Sequence, residues 1–425
     1  MTSPDLSTRY ISLDALRGFA VMGILAMNIA AFDMPFMAYL SPAVYGGDTG
    51  TDLASWFLSY IVFDGKMRGL FSLLFGASMM LIIERAEAKG ENAARVHYAR
   101  MFWLALLGLA HFFLIWLGDI LFLYACVGCV AFLFRRWQPS RLIKWALIGY
   151  TLGFLMFSAV MGGMLYVQQR AGQPNATAED IKRYSEIINN DDFTSVGVKK
   201  NIALYRSGYA DIVSHKIREE RSEPIGAVLQ SFLETLPLMM IGMALLKNGF
   251  LLGQWDRQRY KKWALWGVIG GGLFSALAAG VQYASGFDII IVLNTQIAWM
   301  ILPRLLMTIG YAALLILIVQ RFAATGFIAR VMATGQAAFT NYLGTSIIMT
   351  TIFYGYGLGL YGHVGRAELW FFVFGAWAVM LLWSMPWLEH FLYGPLEWLW
   401  RSLARMKLQP MRRSRSAKAI AINSH

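Results

Sequence analysis

The chain has 425 residues, 57% of them hydrophobic and only 15% charged, with a formal net charge of +12. A typical soluble domain is roughly 25% charged, so this composition excludes an ordinary soluble globule, and its hydrophobicity excludes intrinsic disorder. The Lys and Arg excess sits in short connections between apolar runs and after Trp400, a pattern of membrane topology and anionic-lipid contact and not of nucleic-acid binding.

Apolar runs with charged borders fall at about 11–32, 64–84, 101–118, 119–135, 142–167, 226–246, 263–284, 297–320, 332–355 and 368–390. Each is near the ~20 residues that a bilayer core requires. The first run is read as a retained helix, not a signal peptide, because Asp14 and Arg17 interrupt its start and no small-x-small cleavage site follows. Connection 33–63 holds Asp33, Asp48 and Asp52 but no basic residue, which places it outside; Arg85, Lys89, Arg95 and Arg100 place 85–100 inside. Arg135, Arg136 and Arg141, the basic residues from Lys247 to Lys262, and the tail from Arg401 to Lys418 keep that alternation. The expected fold is an all-α polytopic membrane protein of about ten transmembrane helices, both termini cytoplasmic, with a small helical extracytoplasmic cap. Its parts are an N-terminal five-helix region (1–167), the cap (168–225), a C-terminal five-helix region (226–392) and a basic cytoplasmic tail (393–425).

Leu53–Glu84 is too long for one perpendicular span at ~1.5 Å per residue. Counting back from Glu84 puts Asp64-Gly65-Lys66-Met67-Arg68-Gly69 at the outer leaflet and lays Asp52–Phe63 along the interface, anchored by Trp56 and Tyr60. Cys126 and Cys129 lie in an apolar run without a nearby His or second Cys pair, and are read as small apolar residues of one helix face.

Charged groups inside a bilayer are costly and tend to be functional. Three sets emerge. Asp14 and Arg17, three apart on one helix face near the inner surface, are either a structural pair seating the first helix or a cationic anchor for a cytoplasmic anion. His111, Glu234 and Asn341 fall near the midplane. His111 is either a satisfied core histidine or a general base, and Glu234 must be protonated or paired. Asn28, Asp64, Lys66, Arg68, Asp119 and Arg304 fall toward the outer end, with Arg304 a candidate partner for Glu234 or Asp119. No metal-ligand cluster, phosphate-binding loop or hydrolase motif is present, and no tightly bound cofactor is expected.

Several strings carry a resemblance: Ile11-Ser-Leu-Asp14-Ala-Leu-Arg17-Gly18-Phe with Asn28 beyond, Gly65-Lys66-Met-Arg68-Gly-Leu-Phe71, Gly108-Leu-Ala-His111 with Trp116-Leu-Gly118-Asp119, Leu236-Pro237-Leu-Met-Met-Ile-Gly242, and Phe339-Thr-Asn341-Tyr342-Leu. They resemble YeiB-like bacterial membrane proteins, the last two their C-terminal domain of unknown function 418. The resemblance implies a multi-pass protein of the bacterial cytoplasmic (inner) membrane. The first helix also resembles transmembrane acyltransferases of the heparan-glucosaminide N-acetyltransferase type, which move acyl groups from cytoplasmic acyl-CoA to a glycan on the far side. That scheme implies Arg17 at the anionic donor and an envelope glycan or lipid as acceptor, with Asp14, Asp64, Lys66, Arg68, Arg304 and Tyr342 as substrate-binding candidates. The chain departs from it at the reactive histidine. The acyltransferase-3 type has a His fourteen residues after the first-helix Asp, where this chain has Asn28. The heparan type has its His in the first outer loop, and 33–63 contains none.

Two functions follow. In an acyltransferase, His111 is the base, Asp119 or Glu234 orients it, and Asn28 with Asn341 stabilises an oxyanion; acyl-CoA is a co-substrate. In a transporter or exporter of a small solute, Pro303, the Gly65–Gly69 break and the intramembrane charges belong to discontinuous helices around a central site.

Overall fold

The computed structural model describes residues 11–189 and 194–413. The last part of the expected basic tail, 414–425, lies outside the described residues. Helix α1 (Ile11–Asp33) is followed by two short helices, α2 (Phe36–Leu40) and α3 (Gly50–Leu58). A π-helical stretch, Ser59–Phe63, ends in a break at Asp64–Gly65, where Gly65 adopts φ +68°, and α4 (Lys66–Ala88) begins. Next come α5 (Ala93–Leu114), α6 (Leu121–Ala131) and the long α7 (Pro139–Ala171). Three short helices follow in the segment expected as the cap, α8 (Ala178–Ile188), α9 (Ser195–Tyr205) and α10 (Tyr209–Glu219). Next comes α11 (Glu223–Lys247), and α12 (Arg257–Leu265) passes through a π-helical stretch into α13 (Gly271–Ala284). Helix α14 (Ile289–Leu293) and a second break at Met300 lead to α15 (Ile301–Phe322). The chain then runs through α16 (Gly326–Gln336), α17 (Ala338–Phe353), α18 (Leu369–His390) and α19 (Pro395–Ala404). No β-strand occurs among the described residues, only a bridge between Phe391 and Arg412.

Among the described residues, eight helical stretches are long and apolar enough to cross a membrane. Two of the ten expected runs differ. Run 119–135 is the 11-residue α6 with a short 3-10 turn. An 11-residue helix rises only about 16 Å, well short of a ~30 Å hydrocarbon core. Run 332–355 is broken at Ala337 into α16 and α17. The reason is a carboxylate: Glu397 of α19 accepts from the Phe339 and Thr340 amides at 2.7 and 3.1 Å, satisfying N–H groups that a new helix start leaves free. Burial raises the Glu397 pKa despite those donors.

The interface reading of Asp52–Phe63 also changes. Trp56 and Tyr60 do not anchor at a lipid boundary. Both are 2% exposed and pack with Phe287, Val292 and Met300 in a small cluster of their own.

The chemistry of the exterior is inverted relative to a soluble protein. Leu152 of α7, Trp266 beside α13 and Phe371 of α18 are mostly exposed apolar side chains, a surface suited to lipid. At the centre α1 is buried almost all round, and α4 packs against α11 through glycines. A Cβ on Gly76 would lie 2.1 Å from the Met239 carbonyl oxygen, and one on Gly242 1.9 Å from that of Leu73. Small residues are what allow such backbone approach between membrane helices. Gly242→Ala is therefore expected to cost about 1–3 kcal/mol by overpacking and to lower the thermal unfolding midpoint in nanodiscs. Gly226→Ala, on the same helix but with open space around it, should leave the midpoint unchanged or slightly raised.

Candidate functional site

The α5–α6 hairpin turns at residues 115–120, and the turn brings two side chains together. His111 Nδ1 lies 2.9 Å from Asp119 Oδ1, with the two side chains only 1% and 3% exposed. Asp119 Oδ2 accepts from the Phe122 amide at 2.8 Å, at the start of α6, where the helix dipole favours negative charge. Gly108 makes the approach possible: a Cβ there would sit 2.4 Å from the Phe122 nitrogen and 2.9 Å from Asp119 Oδ2. A carboxylate only accepts hydrogen bonds, so Nδ1 of the imidazole carries the hydrogen and Nε2 of the neutral ring is left with its lone pair. That Nε2 is buried and has no hydrogen-bond partner. The carboxylate fixes the orientation of the ring through Nδ1.

Around the dyad, Tyr342 places its ring 5.4 Å from the imidazole and donates its hydroxyl to the Gly118 carbonyl at 3.1 Å. Trp116 stacks on Phe32 at 4.0 Å. Trp116 and Tyr342 also line a small cavity, together with Asn28, Thr345, Ser346 and apolar residues of α1. The cap clamps the hairpin from its other side. Lys216 of α10 donates to the Phe112 and Ile115 carbonyls at 3.3 and 3.2 Å, and Tyr209 donates to that of Leu114 at 2.9 Å. Burial lowers the Lys216 pKa to about 8.

The other predicted residues gather elsewhere. Arg68 pairs with Glu234 at 2.7 Å. Of the two partners expected for Arg304, the structure gives it Glu234 at 3.8 Å, together with Asp64 at 3.8 Å; Asp119 belongs to His111. Arg304 also donates to the Gln296 carbonyl, and Tyr39 to Asp64 Oδ1. Lys66, fully buried, donates to the Tyr60 carbonyl at 2.5 Å. Glu234 is thus no orienter of His111. A second small cavity adjoins this network and includes Asp64 in its wall. Residues 26, 27 and 30 of α1 face this cavity, and residues 21, 24, 25 and 28 face the smaller one. On a helix these are opposite faces, so α1 stands between the two.

Asp14 and Arg17 pair at the far end of α1, and Gln336 donates to Asp14 at 3.0 Å. Arg17 keeps 31% of its side chain exposed. Arg401 of α19 is close by. Burial, and then the Arg85 and Arg17 charges, hold its guanidinium below the ordinary value. Asn341 spends its hydrogen bonds away from the dyad. Its amide donates to the Thr334 carbonyl and Ser384 Oγ and its oxygen accepts from Trp383, so it clips α16, α17 and α18 together. Lys216, Gln336, Tyr39 and Arg366 were not singled out by sequence. Only Lys216 left a trace, sharing a helix face with Ile212. No His, Cys, Asp and Glu group suited to a metal occurs among the described residues.

Residues 245–407 match the family model described as "Protein of unknown function (DUF418)". The chain is 30% identical over 407 residues to "Uncharacterized protein YeiB" of Escherichia coli K12, covering 93% of this chain and 96% of that one. It is 32% identical over 423 residues to "Uncharacterized protein YxaH" of Bacillus subtilis 168, covering 96% and 97%. A protein encoded in the amylase 3′ region of Bacillus acidopullulyticus is 22% identical over 407 residues, covering 96% of each. No solved structure matches.

The Lys216 clamp yields a pH test. Its folded pKa of about 8 lies below the ordinary 10.5, so between these values the unfolded chain binds a proton that the folded one does not. Wild-type stability should rise with pH from 8 to 10.5 relative to Lys216→Met, measured by thermal unfolding of the two proteins side by side. Parallel pH profiles would mean that Lys216 does not titrate in this window.

Proposed function

This chain belongs to the YeiB-like family of membrane proteins, and from that premise we propose that it is an acyltransferase using the His111–Asp119 dyad. The observation that carries the reading is the buried imidazole, fixed by a carboxylate through Nδ1, with an unpartnered Nε2 and packed on the Trp116 and Tyr342 rings. In this reading the protein sits in the bacterial cytoplasmic membrane with its basic face inward. Acyl-CoA binds there by its phosphates to Arg17, Arg85 and Arg401, guanidinium being well matched to phosphate. From Arg17 to Asn28 is eleven residues along α1, about 16 Å, a run that an extended pantetheine arm follows. The acceptor, a hydroxyl or amine of an envelope glycan or lipid, enters from the cap side.

The chemistry balances without a metal. His111 Nε2 takes the proton as the acceptor oxygen or nitrogen attacks the thioester carbonyl. Asp119 stabilises the imidazolium, and the Asn28 amide donates to the oxyanion. The C–S bond then breaks, and the leaving thiolate recovers the proton from His111 as free CoA. Asn341, fully engaged with its three partners, takes no part.

Solute transport is the second reading. The helix breaks at Asp64–Gly65 and Met300 favour it, because they set Asp64 against Arg304. The two readings separate in nanodiscs. An acyl-CoA that binds the native state at ~100 times its Kd should add about 2.7 kcal/mol of stability. That shift should be lost in Arg17→Ala and retained in His111→Ala. His111→Ala should also lose about 10²–10⁴-fold in acceptor-dependent CoA release. Absence of a shift with every acyl-CoA in a stable preparation, combined with ion-gradient-dependent solute flux, would replace acyl transfer by transport.

A further inference from the structure

The inner end of the bundle gathers like charges that acyl transfer as drawn above uses only in part. Arg100 of α5 lies on Trp400 of α19, its guanidinium 4.0 Å from the ring centroid, and the Trp400 indole donates to the Arg100 carbonyl at 3.0 Å. Arg401 lies on the Tyr393 ring at 4.3 Å. Among the described residues neither guanidinium makes a hydrogen bond or an ion pair. Arg401 and Arg405 are near enough for their charges to repel that of Arg100. The ion pair of this trio is that of Arg405 with Glu91 of the α4–α5 connection, at 3.9 Å. Gathered guanidiniums with so little counter-charge repel one another, and a bound anion relieves that cost. A guanidinium resting on a ring face keeps its in-plane N–H donors, the fork that matches phosphate.

The turn that follows is built with care and then exposes apolar side chains. Helix α19 ends in a Schellman closure, in which the Lys407 amide donates to the Ser402 carbonyl at 3.1 Å. The residue inside that closure has positive φ, a place usually held by glycine. Here it is Met406, at φ +49°, with 81% of it exposed. Leu408, two residues on, is 76% exposed. The segment is held to the fold: Trp398 donates to the Gln409 carbonyl at 2.8 Å, the Gln409 amide donates to Ser402 Oγ at 3.2 Å, and the Leu392 amide donates to the Met411 carbonyl at 2.8 Å. A methionine in a left-handed position, offered outward beside a leucine, is unfavourable against water on both counts.

Both oddities are met by one kind of partner. Arg100 stands at the inner end of the apolar run of α5. Phe102, two residues or about 3 Å deeper along the helix, is already 58% exposed and suited to lipid. Arg100 is thus at the depth of lipid headgroups. A soluble phosphate would satisfy the arginines and leave Met406 and Leu408 in water. A neutral lipid would cover the two apolar side chains and leave the arginines without counter-charge. An anionic phospholipid does both, and the cytoplasmic leaflet, where the basic loops place this end, is the one that carries such lipids.

We propose that α19 and the turn behind it form a binding site for an anionic phospholipid, with Arg100 and Arg405 on the headgroup phosphate and Met406 and Leu408 against the acyl chains. Arg401 stands between this pair and Arg17 with Arg85, so the site adjoins the proposed donor site but does not depend on acyl transfer.

The test follows thermal unfolding of the full-length protein in detergent micelles during titration with phosphatidylglycerol, with phosphatidylcholine and inorganic phosphate as comparisons. Phosphatidylglycerol should raise the midpoint saturably, phosphatidylcholine should not, and phosphate should not displace the lipid. Arg405→Gln should weaken the apparent lipid affinity about fivefold. Met406→Gly should weaken it too while leaving the lipid-free midpoint unchanged or raised, because glycine suits the left-handed position. Lys262→Gln, an exposed basic residue of α12, should leave it unchanged. Arg17→Ala should keep the lipid shift even where it loses the acyl-CoA shift. Equal shifts with both lipids, displacement by phosphate, or affinity unchanged in both Arg405→Gln and Met406→Gly would overturn the proposal. A loss in Lys262→Gln as large as in Arg405→Gln would reduce the site to a diffuse basic surface. Loss of the lipid shift in a folded Arg17→Ala would overturn its independence from the donor site.

Discussion

A charge within hydrocarbon needs a partner supplied by the protein, and Arg304 is where that requirement organises the most structure. Its guanidinium sits between Asp64 and Glu234, and Glu234 in turn holds Arg68. These four side chains come from α15, from the Asp64–Gly65 break, from α11 and from α4. The network therefore ties together both helix breaks and the helix pair that glycines bring into contact. The break itself is needed to deliver Asp64. A continuous helix from α3 through α4 would carry that carboxylate past Arg304, and Gly65, at positive φ, is the residue type that tolerates the turn. A side chain at Gly65 would also strike the Arg304 side chain at 2.4 Å.

Helix α1 has a different role. It is buried almost all round, and its two faces line two cavities of unlike chemistry. The smaller is mostly apolar and shares Trp116 and Tyr342 with the surroundings of His111. The larger is aromatic and polar and lies beside charge pairs. At its far end the same helix presents Arg17 toward the basic face. A single rigid element therefore sets the spacing among three chemically distinct regions, and no loop movement is needed to hold them in register.

The cap matters through backbone carbonyls. The turn after α5 leaves carbonyls without helical partners, and Lys216 and Tyr209 take them. That contact holds the turn that carries Asp119, so α10 positions the dyad without touching it.

Sequence alone determined the class of molecule. Long apolar runs bounded by basic loops can only be membrane helices, because hydrocarbon leaves backbone polar groups no alternative to internal pairing. It also marked His111, Asp119, Asp64, Glu234 and Arg304, because polar residues within such runs stand out by type. It did not determine which of them meet. His111 and Asp119 are eight residues apart, a spacing with no meaning on a continuous helix; only the turn at 115–120 makes them neighbours. Asn341 carries the same marks as Asn28 but is spent on Thr334, Ser384 and Trp383, a fact that depends on three helices at once. The shortness of α6 and the split at Ala337 were hidden for the same reason. Hydropathy measures how apolar a run is, whereas a helix ends where another element, here the Glu397 carboxylate of α19, satisfies the backbone groups that the ending exposes. Residue type is local and legible; partner choice inside a bilayer is a property of the packed whole, and tertiary structure decided it.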